Sequence, residues 1–218
     1  MQVKSFYFNP FRECTYLLIG DNNETAIIDC GCSNERERQR LKDFIESNSL
    51  SIEYHFLTHA HIDHLWGAQF VFEQYGVLPI LSEKDDELFR NIHLQAQMFG
   101  LPFSDNLPKE YITLENKATL NTNGDYSLFI LQIPLTGIPT PGHTPGGVCY
   151  YMPDEKLLFS GDTLFENGIG RTDLPGGNYG TLLKSLSRLK MLPNETVVYP
   201  GHGYQTTIGN EKQYNPYL

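Results

Sequence analysis

The sequence predicts an α/β protein in which two β-sheets pack face to face with helices outside. Three observations predict it. Short apolar runs bounded by turn residues come in two batches, each joined to segments of helical periodicity, and strands then helices, twice over, fit a two-sheet sandwich. The length of 218 residues suits one well-cored domain and is marginal for two, so a single domain over 1–218 is expected. Residues 58–67, Thr58 to Gly67, place three histidines and an aspartate directly after the apolar run Tyr54-His55-Phe56-Leu57, where a strand gives way to a loop.

Residues 2–8, 14–20 and 25–29 read as three short strands separated by Asn9-Pro10 and Asp21-Asn22-Asn23. The third ends at Asp29, which closes an apolar strand. Ser33-Asn34 offers an N-cap for a charged helix over 35–48, with Leu41, Phe44 and Ile45 as its apolar stripe. A strand at 52–57 leads into the histidine-rich loop. From Trp66 to Tyr75 the spacing predicts a helix that packs Trp66, Phe70, Val71 and Phe72 inward and stops at Gly76.

Residues 77–82 suggest another strand, and Glu83 to Phe99 a helix. Gly100 to Lys117 is rich in turn formers, namely Pro102, Ser104, Asp105, Asn106 and Pro108. The stretch 83–117 is thus the largest insertion between motifs, and substrate selection is expected there. His93 within it reads as a surface histidine. Strands follow at 126–133, 136–140, 147–152 and 156–160, with turns at Asn123-Gly124 and Pro153-Asp154. A helix over 179–191 carries Leu182, Leu183, Leu186 and Leu189, and a closing strand from Glu195 to Tyr199 delivers His202.

In extended chain, residues two apart point the same way, so His59 and His61 can reach one ion together. Asp63 and His64 are adjacent and could aim at a second. Neutral imidazoles with carboxylates suit zinc, and iron or manganese less exclusively. A histidine-rich surface turn is the plain alternative, but five of the seven histidines fall in comparable motifs. His55 lies within the strand and reads as a packed core residue. Cys14, Cys30, Cys32 and Cys149 are few and lack CxxC spacing, which suits reduced, buried thiols.

His59-x-His61-x-Asp63-His64 resembles the signature of the metallo-β-lactamase superfamily. Pro141-Gly142-His143-Thr144, Gly161-Asp162-Thr163 and Pro200-Gly201-His202-Gly203 follow in that family's order. The resemblance implies an αββα sandwich of two mixed sheets with flanking helices and metals at one edge. It implies a first ion on His59, His61 and His143, a second on Asp63, His64 and His202, and Asp162 bridging them. Asp29 would brace the ligand loop, though an ordinary strand-end residue explains it almost as well. Two Zn ions per chain, with iron or manganese as substitutes, would generate a hydroxide at neutral pH that attacks a carbonyl, with Asp63 able to accept a proton.

The run from Gly168 to Gly177, GIGRTDLPGG, is similar to short bacterial type II glyoxalases and their persulfide dioxygenase relatives. The expected activity is hydrolysis of a small thioester or ester, as in hydroxyacylglutathione hydrolases. An alternative is a mononuclear-iron persulfide dioxygenase, and another is a non-catalytic metal-binding module. Gly170-Arg171-Thr172-Asp173 stands where the glyoxalases carry a basic and aromatic glutathione contact, and the chain ends sixteen residues after His202, short of their helical C-terminal domain. Arg171 could grip a substrate carboxylate, or pair with Asp173 as a structural residue. Met98 and Phe99 could wall a substrate pocket, or pin the insertion to the core.

Composition narrows the partners. A formal charge of −10 and a pI near 5.1 argue against nucleic acid, which calls for a basic surface. They leave an anionic small molecule open, because an ion can dominate the local field. No basic-then-apolar leader opens the chain and no apolar run reaches membrane-spanning length, so a cytoplasmic protein without membrane contact is expected.

Overall fold

Alternating side chains along short strands build two sheets with one shared interior. A computed structural model describes residues 1–103 and 106–218. Antiparallel β1 (Gln2–Phe8), β2 (Glu13–Ile19) and β3 (Glu24–Ile28) open the first sheet. α1 (Glu35–Ser47), capped by the Asn34 side chain, returns the chain to β4 (Ser51–Phe56) parallel to β3. After β4 come α2 (Ile62–Leu65) and α3 (Ala68–Tyr75), then β5 (Pro79–Leu81). A 3-10 turn at Glu83–Asp85 leads to α4 (Asp86–Arg90) and α5 (Ile92–Phe99), and β6 (Ile112–Thr113) ends a sheet ordered β1-β2-β3-β4-β5-β6.

α6 (Leu114–Lys117) crosses to the second sheet. There β7 (Thr119–Leu120), β8 (Tyr126–Ile130), β9 (Ile133–Pro139), β10 (Val148–Met152) and β11 (Leu157–Gly161) form an antiparallel meander. β12 (Leu164–Phe165) and β13 (Gly168–Ile169) make a separate hairpin. α7 (Tyr179–Leu189) then carries the chain to β14 (Val197–Pro200), parallel to β11, and β15 (Thr206–Thr207) and α8 (Ile208–Tyr214) follow.

The period of two sorts the cores. Tyr16 and Leu18 of β2 face Phe159 and Tyr150 between the sheets, while Leu17 and Ile19 pack under α1 with Leu41 and Ile45. Val148, Tyr150 and Met152 of β10 point into the shared interior, and Cys149 points to α7 with Leu182, Leu186 and Leu189. The result is the αββα sandwich of the expectation. Phe56 and Tyr150 lie fully buried at its centre, and Phe56→Ala should cost roughly 3–5 kcal/mol.

Several elements differ from the sequence reading. The strand expected over 126–133 stops at Ile130, because Leu131 and Gln132, at φ 47° and 66°, make a two-residue hairpin turn without glycine or asparagine. The helix expected over 83–99 breaks at Asn91, whose side chain donates to the Glu87 carbonyl and competes with the backbone ladder. Coiling starts at Ile62, before Trp66, and restarts at Ala68. Gly67 separates the two pieces, and a Cβ there would fall 2.4 Å from the Cys32 sulfur. Trp66 and Val71 are buried, but Phe72 is exposed, which corrects its assignment to the inner face. Ser104 and Asp105, read as turn formers, lie outside the described residues. Cys14, Cys30, Cys32 and Cys149 are free and buried.

Candidate metal centre

Each polar cluster follows the end of a strand. The loop after β4 carries His59, His61, Asp63 and His64, the β9–β10 connection carries His143, and Asp162 and His202 follow β11 and β14. The sharp exits depend on glycine. Gly161 sits at φ 48°, and a Cβ on it would lie 2.4 Å from the Thr58 hydroxyl.

Among the described residues the possible ligand groups include one of His59, His61 and His143 and another of Asp63, His64 and His202, with donor atoms of each group within 4.8 Å of one another, and overlapping groups of His59, His64 and Asp162 and of Glu13, Asp29 and His64. Asp162 lies between the first two. Its Oδ1 is 3.3 Å from His64 Nε2, and its Oδ2 is 3.5 Å from His143 Nε2 and 3.7 Å from His202 Nε2. Asp63 Oδ2 is 3.1 Å from His202 Nε2.

The hydrogen bonds on the far side of each ring decide which nitrogen is free. Thr58 Oγ1 donates to Asp29 at 2.8 Å and so accepts from His59 Nδ1 at 3.0 Å. His64 Nδ1 donates to Asp29 at 2.9 Å, His143 Nδ1 to the Arg171 carbonyl at 2.7 Å, and His202 Nδ1 to the Phe11 carbonyl at 3.0 Å. In their neutral form these four rings would turn an Nε2 lone pair inward, the arrangement of metal-binding histidines. His61 is reversed, with Nδ1 lying 2.8 Å from His143 Nε2. His59 Nε2 and Asp162 Oδ1 are buried without a hydrogen-bond partner among the described residues. Converging lone pairs and orphaned acceptors fit divalent cations, whose charge supplies the missing partner.

Electrostatics divide the site. Burial, helped by neighbouring histidines, pushes His59 well below its ordinary pKa and His61 down to about 3, so both are neutral donors. Burial also pulls on His64, but Asp162, Asp29 and Asp63 outweigh it and hold the ring well above the usual value. The Asp162 carboxyl is pushed up by burial, yet His64, His202 and His143 prevail and keep it well below the carboxylate range.

Side chains outside the motifs hold the loops. Asp29 Oδ1 accepts the Thr58 backbone N–H at 2.7 Å. Asn9 donates to the Gly31 and Asp63 carbonyls, Glu13 accepts from Gly31 N–H, and Asp85 and Gln95 bind the backbone at Ala60. Sequence reasoning missed these four. Asp85 stands in the charged run Glu83 to Glu87, which reads as a solvated helix start. Only the strongly apolar environment of Glu13, just before the run Cys14 to Ile19, hinted at a buried carboxylate.

His61, Asp63, His143, Asp162 and His202 border a cleft of about 220 Å³ whose apolar wall is Phe11, Ile62, Phe99 and Leu174. Phe99 thus reaches the cleft, packing edge-on against Phe11, whereas Met98 is exposed and does not line it. Arg171 lines the rim with its guanidinium engaged, Nε and Nη2 each donating to Asp173 at 2.7 Å. A larger cleft of about 830 Å³ beside Phe72, Phe89 and His93 touches none of the candidate ligands.

The family model of the metallo-beta-lactamase superfamily matches residues 9–202. The chain belongs to that superfamily. Among curated metallo-β-lactamase relatives, hydroxyacylglutathione hydrolase GloC of Haemophilus influenzae is 38% identical over 222 aligned residues, covering 100% of this chain and 98% of the relative. Two solved structures share the fold closely. BLEG-1 B3 metallo-beta-lactamase aligns with TM-score 0.86 at 32% identity, covering 100% of this chain and 99% of that one. TTHA1623 in a di-iron-bound form aligns with TM-score 0.82 at 33% identity, covering 99% and 100%. No helix among the described residues is long and apolar enough to cross a membrane.

Proposed function

We propose that this metallo-β-lactamase-fold chain is a dinuclear metal hydrolase acting on a small thioester. The observation that carries the reading is the position of Asp162, whose two oxygens face histidines of both ligand groups at the edge of a cleft. His59, His61 and His143 would hold one ion, Asp63, His64 and His202 the other, and Asp162 would contact both. Nitrogen and carboxylate donors suit zinc, and the di-iron form of TTHA1623 supports iron as a substitute. Bound there, the ions would supply Lewis acidity toward a carbonyl and lower the pKa of a water to near 7.

The chain's own groups do the rest. Burial raises Asp63, but His64 and His202 outweigh it and hold its carboxyl below the ordinary value, so it is ionised and able to take a proton at neutral pH. A departing thiolate needs little protonation, and no acid is required opposite Asp63. Phe11, Ile62, Phe99 and Leu174 would offer the apolar part of a substrate a contact wall in the cleft. The similarity to hydroxyacylglutathione hydrolase supports a glutathione thioester as the first substrate to try. Zinc- and iron-loaded protein should hydrolyse S-lactoylglutathione with a rate rising through about pH 7. Oxygen uptake with glutathione persulfide and no thioester turnover in either form would replace the hydrolase reading with a dioxygenase.

A further inference from the structure

Asp85 belongs to the 3-10 turn after β5 and is fully buried, yet it does not line the cleft. Three donors converge on its carboxylate. Oδ2 accepts the Ala60 backbone N–H at 3.0 Å and the Thr144 hydroxyl at 2.8 Å, while Oδ1 accepts the Gly146 N–H at 2.6 Å. Ala60 stands between His59 and His61, and Thr144 follows His143. These two loops leave different sheets, so one side chain joins them across the edge of the sandwich. The approach is close, since a Cβ on Gly146 would lie 2.7 Å from the Asp85 carboxyl carbon.

Ala60 is held from both ends by the same insertion. Gln95 of α5 takes a hydrogen bond from Ile62 N–H at 3.1 Å and donates to the Ala60 carbonyl at 2.9 Å. Of the two loops, the hydrogen bonds of Gln95 reach that of β4, so of these two side chains it is Asp85 that joins the loops, beside one backbone bond from Val148 N–H to the Thr58 carbonyl at 2.9 Å. A carboxylate suits that place because it accepts at both oxygens and donates at neither. The amide of an asparagine would set N–H against N–H or O–H at one end while keeping the volume.

The geometry points to Asp85 as a positioning residue that fixes His61 opposite His143, so that ion affinity in the His59, His61 and His143 group depends on it and affinity in the Asp63, His64 and His202 group does not. The inference rests on the ligand assignment proposed above.

The test is titration of metal-free full-length protein with Co(II) and with Zn(II) alone, comparing the parent with Asp85→Asn. The first group is read in a His202→Ala background and the second in a His61→Ala background. First-group affinity should fall about 10- to 100-fold in Asp85→Asn, with the second group changed less than about threefold. Thr144→Val removes one of the three donors at constant volume and should give an intermediate loss. Unchanged first-group affinity overturns the inference, and so does an equal loss at both groups with a lowered melting temperature of metal-free protein. If Asp85→Asn does not fold, Thr144→Val decides by the same readings. Metal uptake by the parent without thioester hydrolysis would remove the proposed function and leave the Asp85 result standing.

Discussion

His64 is tied to Asp29 by a 2.9 Å hydrogen bond from Nδ1, and the same carboxylate oxygen takes the Thr58 hydroxyl that orients His59. One buried acid thus orients a ring in each ligand group. Asp29 sits at φ 57°, a left-handed position that asparagine also tolerates, so Asp29→Asn isolates the charge from backbone strain. It should weaken ion binding at both groups by about 10- to 100-fold. Metal titration that finds one group untouched would contradict this shared role.

Asp162 and His202 should separate in their effects. Asp162→Ala should reduce elemental metal content well below the about two equivalents expected of replete protein, because on the proposed assignment both ions would lose a ligand. His202→Ala should leave close to one equivalent. Equal residual content in the two variants would argue against a carboxylate shared between ions.

His55 is fully buried, both ring nitrogens lack hydrogen-bond partners among the described residues, and burial pushes its pKa down to about 3. The unfolded chain takes up this proton below its ordinary value of 6.5, whereas the native chain resists to about 3. Stability from this residue is therefore intact above pH 6.5 and is lost as pH falls through that window, with a slope of at most roughly 1.4 kcal/mol per pH unit. His55→Leu should flatten this limb in urea unfolding at about pH 7.5, above the window, and at about pH 6 and 5, within it. Parallel wild-type and variant curves would refute it.

Arg171 is already paired with Asp173 on the surface, and a substrate anion must compete with that partner. Arg171→Ala should then lower kcat/KM for a carboxylate-bearing thioester by about 10-fold or less, since exposed pairs contribute little. Asp173→Ala should free the guanidinium and raise it. Metal content should not change, because His143 is held by the Arg171 carbonyl rather than by its side chain. Loss of metal in Arg171→Ala would show the side chain to be structural.

The layers and the ligand candidates were legible because both rest on short-range pattern. Period-two alternation sorts Tyr16 and Leu18 from Leu17 and Ile19, and glycine-flanked histidines stand out from their neighbours. The supports were not legible. Asp85 and Gln95 act on a loop some 25 and 35 residues away, distances that no local period encodes. The Leu131-Gln132 turn escaped because its residues carry none of the usual hairpin chemistry, and α8 with β15 because Thr206 to Tyr214 lies past the last motif. Substrate selection was expected of the whole 83–117 insertion. Its Phe99 does border the cleft, but its buried polar residues serve the ligand loop.

The side chain of His202 is 25% exposed, while His59, His61 and His143 are each no more than 7% exposed. On the proposed assignment a chelator would meet His202 at the surface, whereas the three-histidine ion would sit among nearly buried rings. Loss of metal should accordingly run in a fixed order. When the metal supply is scarce, a population of such chains would pass through a half-filled state with the deeper ion still in place, and recovery would require recharging only the outer position.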